Sequence, residues 1–189
     1  MRKLSRPLIA LIFLSLFAVN SYAEEKTVGG DFELTSYLNS SYSLADSRGK
    51  VVMLFFGFTH CPDVCPTTLS TVQTVLSQLG DQALQVQPIF ITVDPKRDTP
   101  AILKSYLEYF NRNIIGLTGN SEEISKVVKQ YSGFYSYEGD ISSNSYTVDH
   151  TSNLYIINTQ GDVTNIIPYG LPPQAITEHI EKLLLKVTS

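Results

Sequence analysis

VVMLFFGFTHCPDVCPTTLSTVQTVLSQLG, residues 51–80, reads as a strand, a turn and a helix. The opening VVMLFFGF (51–58) is an unbroken apolar run of β-branched and aromatic residues, the composition of a central strand buried on both faces. In TTLSTVQTVLSQLG, Leu69, Val72, Val75, Leu76 and Leu79 recur at helical spacing, and Gly80 stops the helix. Pro66 disfavours helical geometry at Cys65 and suits the first helical position, so the helix is predicted from about Pro66. Cys61 and Cys65, the only cysteines of the chain, then lie in the turn between strand and helix.

Outward from this unit the alternation continues. Residues 31–46, with Asn39-Ser40-Ser41 in the middle, read as a hairpin. QPIFITVD (87–94) is a second buried strand, and Asp98-Thr99-Pro100 starts a helix that runs to about Phe110. A short IIGL segment precedes a helix from Ser121, with Glu122 and Glu123 in the first turn where the macrodipole favours them. Residues 132–148 are polar, tyrosine-rich and aperiodic, and read as an inserted loop or irregular ribbon. SNLYIIN (152–158), the turn Gln160-Gly161-Asp162 and VTNIIPY (163–169) form a hairpin, and a C-terminal helix from Pro172 closes the chain. An alternating β/α core ending in a hairpin and a helix implies an α/β, thioredoxin-like fold, a central mixed sheet flanked by helices. Flavodoxin-like folds share the early alternation but lack the closing antiparallel hairpin.

The N-terminus carries Arg2, Lys3 and Arg6, then an apolar run of twelve residues, Leu8 to Val19, broken only by Ser15. Ser21 and Ala23 supply small residues before a cleavage site, so residues 1–23 read as an export signal and 24–189 as one domain. A retained anchor in the inner membrane is the alternative, although the run is short of the ~20 residues a spanning helix needs. Without residues 1–23 the chain has 11 Lys+Arg against 18 Asp+Glu, and no basic patch exists to hold a nucleic acid. In an oxidising, periplasmic setting a nearby thiol pair bridges by default. A Cys61–Cys65 bridge would close a loop of only five residues, which constrains the unfolded chain little, so the spacing points to chemistry rather than to scaffolding. A turn can bring the two Cα atoms within the roughly 4.4–6.8 Å a disulfide needs. Two thiolates side by side are equally a clamp for a soft metal ion.

FGFTHCPDVCPTTL (56–69 within the opening stretch), DPKRDTP (94–100) and YTVDHTSNLYIIN (146–158) together resemble the three signatures of the Sco (SenC) family. The resemblance runs from about Gly30 to the C-terminal helix. It implies a copper-binding protein of the thioredoxin superfamily that assists assembly of the copper centre of cytochrome c oxidase. Carried over, the copper ligands are Cys61, Cys65 and His150. Two thiolates suit Cu(I), an imidazole suits Cu(I) or Cu(II), and three ligands leave a position for a partner. The implied partners are the copper-bearing oxidase subunit and a thiol reductant or upstream copper donor. Asp149 is a candidate to orient the imidazole. No proline occurs between Pro100 and Pro168, so the loop that in thioredoxin-like reductases faces the cysteines with a proline has none here. His150 takes its place just before SNLYIIN.

Each feature has a plainer alternative. The cysteines could form an inert bridge, and His150 alone could be a core histidine. His60 should project away from the pair, and His179 should be solvated on the last helix. DPKRDTP reads as a strand end and helix cap, with Asp94 its most suggestive member. The competing function is a thiol–disulfide oxidoreductase, with Cys61 and Cys65 as its redox pair, reducing an oxidase subunit or acting in redox homeostasis. Zinc at a Cys₂His site stays open. A blue-copper site would need a second histidine and usually an axial methionine, and Met53 lies in the buried strand. A peroxidase of the peroxiredoxin type would need a proline and a Thr or Ser where Leu54 and Phe58 stand.

Overall fold

The structure is a computed structural model, and it describes residues 27–143 and 145–185. The expected export segment, 1–23, lies outside the described residues. Among those described, no helix is long and apolar enough to cross a membrane.

β1 (Glu33–Ser36) and β2 (Ser41–Ser43) form the N-terminal hairpin, followed by a 3-10 turn at Leu44–Ser47. β3 (Val51–Gly57) leads into α1 (Val64–Leu79), and a 3-10 turn at Gly80–Gln85 delivers the chain to β4 (Val86–Thr92). α2 (Pro100–Phe110), β5 (Ile115–Thr118) and α3 (Ser121–Gln130) complete the alternation. Then come β6 (Tyr135–Gly139), β7 (Tyr146–His150), β8 (Leu154–Ile157), β9 (Val163–Ile167) and α4 (Pro173–Leu185). The main sheet has seven strands in the order β2-β1-β5-β4-β3-β8-β9. β3, β4 and β5 are mutually parallel, and β8 returns antiparallel against β3. This is the thioredoxin-like mixed sheet with helices on its faces.

Every residue of β3 is buried, as a strand covered on both sides requires. Its alternate side chains feed two cores. Val52, Leu54 and Phe56 join Tyr131 and Tyr155 on one face; Val51, Met53 and Phe55 meet α1, α2 and α4 on the other. The helix starts have local causes. Thr99 caps α2 by accepting from the Ile102 N–H at 3.4 Å, with Pro100 as the first helical residue. Asn120 and Glu123 form a reciprocal capping box on α3.

Two expectations need correction. α1 begins at Val64, so Cys65 and Pro66 sit inside its first turn. The proline is tolerated there because first-turn N–H groups have no intrahelical acceptor to lose. Residues 132–148 hold a regular antiparallel ribbon, β6 against β7, that pairs Tyr137 with Val148 and Tyr135 with His150. Tyr146 and Val148 of this ribbon are buried in the core beside Phe58.

Candidate metal centre

The parallel register aligns Gly57 of β3 with Thr92 of β4, so the turns after both strands emerge at one edge of the sheet. Chemistry in open α/β sheets gathers at this carboxyl edge. The β3 turn carries Cys61, half-buried, and the first turn of α1 carries Cys65, fully buried. Alternation along β7 turns Tyr146, Val148 and His150 inward, and Thr147 and Asp149 outward. The ligand atoms of Cys61, Cys65 and His150 all lie within 4.8 Å of one another.

His150 Nε2 is 3.6 Å from Cys65 Sγ, and Nδ1 is 3.0 Å from the Thr151 carbonyl. A carbonyl can only accept, so Nδ1 carries a proton and Nε2 faces the thiols. The imidazole is also packed edge-to-face on Phe58, with centroids 5.8 Å apart. Asp149 is exposed, and the orienting contact to Nδ1 comes from the main chain of Thr151.

The two thiols are unbridged and electrostatically unequal. The Cys65 backbone N–H donates to Cys61 Sγ at 3.4 Å. A hydrogen bond from the Cys65 thiol, helped by His150 and by backbone N–H groups, holds Cys61 down at about 3 against the opposing effect of burial. Cys65, as the donor and the more buried of the two, is pushed strongly upward. The site therefore presents one thiolate, one thiol and one imidazole nitrogen along a groove of about 220 Å³ lined by Phe58, Pro62, Asp63, Val64 and Ser152. A larger hollow of about 530 Å³, between residues 27–30 and β9, offers no thiol or imidazole.

Gly57 makes the close packing possible. A Cβ there would stand 2.7 Å from Cys65 Sγ and 2.8 Å from the Phe90 ring. Gly57→Ala is expected to lower stability by about 1–3 kcal/mol through overpacking. Urea denaturation measures the loss, and a midpoint equal to that of the unaltered protein would show that the site has slack the geometry does not reveal.

The remaining singled-out residues divide clearly. His60 is exposed, with Nδ1 3.1 Å from Thr59 Oγ1, and is not in the cluster. His179, expected in solvent, is half-buried with Nδ1 3.5 Å from the Asn165 amide. Asp94 is wholly buried and ion-paired with Arg97, and it accepts from the Tyr146 hydroxyl at 2.7 Å. Asp98 is also wholly buried, and burial pushes its carboxyl upward against the hydrogen bonds it accepts from Thr59 and Thr92.

A family model for SCO1/SenC matches residues 20–185. The chain belongs to the SCO1/SenC family. It is 37% identical over 164 residues to the SCO2-like protein of Rickettsia felis, which spans 86% of this chain and 80% of that one. The structure of Bradyrhizobium japonicum ScoI with copper bound superposes with a TM-score of 0.76 at 36% identity, covering 83% of this chain and 99% of that chain. Yeast Sco1 with copper bound gives 0.76 at 31% identity, covering 86% and 90%. Members of the SCO1/SenC family are copper-binding proteins linked to cytochrome c oxidase assembly, and this chain carries the fold together with a Cys/Cys/His cluster of matching chemistry.

Proposed function

We propose that the protein is a copper chaperone that holds one copper ion between Cys61, Cys65 and His150 and passes it to the copper-bearing subunit of cytochrome c oxidase. The observation that carries this is the convergence of two sulfur atoms and one imidazole nitrogen within 4.8 Å, from three separate elements. Sulfur ligands select a soft cation, and the imidazole accepts either oxidation state of copper. Cys61 and His150 are only half-buried, so a recipient's ligand can reach the ion before the donor's ligands let go. Copper as the ion is supported by the copper-bound structures of relatives. The leader-like residues 1–23 support export to the periplasm, with an anchor in the inner membrane as the alternative fate of that segment.

Titrating the fully reduced protein with Cu(I) under a competing chelator tests this, beside His150→Ala. One ion per chain is expected. The variant should bind at least tenfold more weakly, about 1.4 kcal/mol. Equal affinities would remove His150 from the ligand set and sink the three-ligand reading.

A second reading has its own observation. Cys61 is held as a thiolate one helical turn from a buried thiol, the arrangement of a dithiol reductant. Reduction of a disulfide on the recipient subunit, followed by metal transfer through the same residues, is compatible with the geometry. Turnover of a disulfide substrate without copper would separate the two activities.

A further inference from the structure

Asp98 is a wholly buried carboxylate four residues beyond Asp94 and outside the three-ligand cluster. Its hydrogen bonds run to two places. Oδ2 accepts from the Thr92 hydroxyl at 2.6 Å, at the end of β4. Oδ2 also accepts from the Thr59 N–H at 3.0 Å, and Oδ1 from the Thr59 hydroxyl at 2.6 Å, in the turn that leads to Cys61. Its own backbone is tied, since the Asp98 N–H donates to the Asp94 carbonyl at 2.9 Å. The exposed His60 ring stands 4.0 Å away on the open side.

Residue 59 is two positions before Cys61. The turn between them has one backbone bond of its own, from the Cys61 N–H to the Phe58 carbonyl at 3.2 Å. A turn held so lightly would sample several placements of the Cys61 sulfur. We propose that Asp98 is the positioning residue of the thiol turn: by gripping Thr59 at both backbone and side chain from the β4–α2 loop, where Thr92 anchors it to the end of β4, it fixes Cys61 against Cys65 and His150. Charge-assisted bonds from a carboxylate are the strong kind, and a rigid grip from a neighbouring strand end preorganises a pair. The sequence motif DPKRDTP thus acts on the cysteines without touching them. The role requires only that the two thiols work together, so it does not rest on copper being the cargo.

The test is the equilibrium of the pair with glutathione, in the metal-free full-length protein. Two thiols of the protein and one glutathione disulfide give one Cys61–Cys65 bridge and two glutathione thiols. The first thiolate displaces one glutathione to form a mixed disulfide. Cys65 then displaces the second, and the two protons leave on the glutathiones. The equilibrium constant measures how well the protein holds the two sulfurs together, which a uniformly less stable but folded protein does not alter. Asp98→Ala is expected to lower it by at least about tenfold, since an ångström of misplacement costs up to two orders of magnitude in effective molarity. Asp98→Asn, which keeps the shape and an acceptor, should recover most of the loss. Thr59→Val removes the hydroxyl, with its contacts to Asp98 and His60, from a half-exposed site while the backbone bond to Asp98 stays, and should lower the constant by about threefold. If Asp98→Ala does not fold by circular dichroism, Asp98→Asn and Thr59→Val carry the test. A constant unchanged in Asp98→Ala, or in Thr59→Val where Asp98→Ala is unfolded, would overturn the assignment. A copper titration that fails while these shifts appear would overturn the chaperone reading and leave this one intact.

Discussion

Alkylation of Cys61 by iodoacetamide is expected to proceed at nearly the same rate at pH 5 as at pH 8. Only the thiolate attacks, so the rate follows the ionised fraction. An ordinary thiol with a pKa of about 8.5 loses on the order of a thousandfold between those pH values. Cys61 sits at about 3, because the Cys65 thiol and backbone N–H donate to its sulfur with His150 alongside. It stays ionised across the whole window. Cys65 is 1% exposed and shifted upward, so mass spectrometry should find the label on Cys61 first. A rate that falls tenfold per pH unit would place Cys61 among ordinary thiols and remove the thiolate from both functional readings.

The same asymmetry makes a stability statement whose sign can be worked out. Cys61 has a folded value below its ordinary 9.0, so it contributes stability that is full above that value and is lost as the pH falls toward about 3. Cys65 is shifted the other way. Above pH 9.0 the unfolded chain releases that proton while the folded one keeps it, and stability falls again. The reduced pair therefore favours the fold most in the region near its unshifted value.

Much of this was readable because simple physics left a local mark. Val51 to Phe58 could only be a buried strand, and Thr99-Pro100 could only start a helix. His150, the third candidate ligand, lies 85 positions from Cys65, and no local period joins them; only the family resemblance of VDHTS did. The regularity of the ribbon was missed because its inward face is built largely from tyrosines and a histidine rather than aliphatics, and serines and acids interrupt it. Its period of two was nevertheless present, in Tyr135 and Tyr137 on one side and Tyr146, Val148 and His150 on the other. The roles of Gly57 and Asp98 left no local trace. Each depends on what β4 brings alongside β3, and that register exists only in three dimensions.

Replacing Arg97 by methionine is expected to cost the largest share of stability of any single change near the site, about 3–5 kcal/mol. Arg97 is 9% exposed and answers the buried Asp94 carboxylate by a direct ion pair. Its Nη1 donates to the Tyr146 carbonyl at 2.9 Å, and its guanidinium lies 3.6 Å from the centre of the Tyr146 ring. It also stands 5.8 Å from the centre of the Phe58 ring, which packs on His150. One cation thus ties the β4–α2 loop to β7, the strand that supplies the imidazole. Methionine fills much of the volume but strands a charge in a place without water, and a stranded charge costs more than a lost contact. Arg97→Met together with Asp94→Asn removes that charge and should regain part of the loss, a coupling that a double-mutant cycle in urea measures directly. In Arg97→Met the amide of Val148 should also exchange faster, because among the described residues β7 pairs only with β6, and Arg97 donates to the Tyr146 carbonyl at its start. A loss below about 1 kcal/mol, the scale of an exposed ion pair, would mean that aromatic packing alone seats the ribbon. In that case His150 would owe its position to Phe58 and Tyr146 rather than to the acid–base pair behind them.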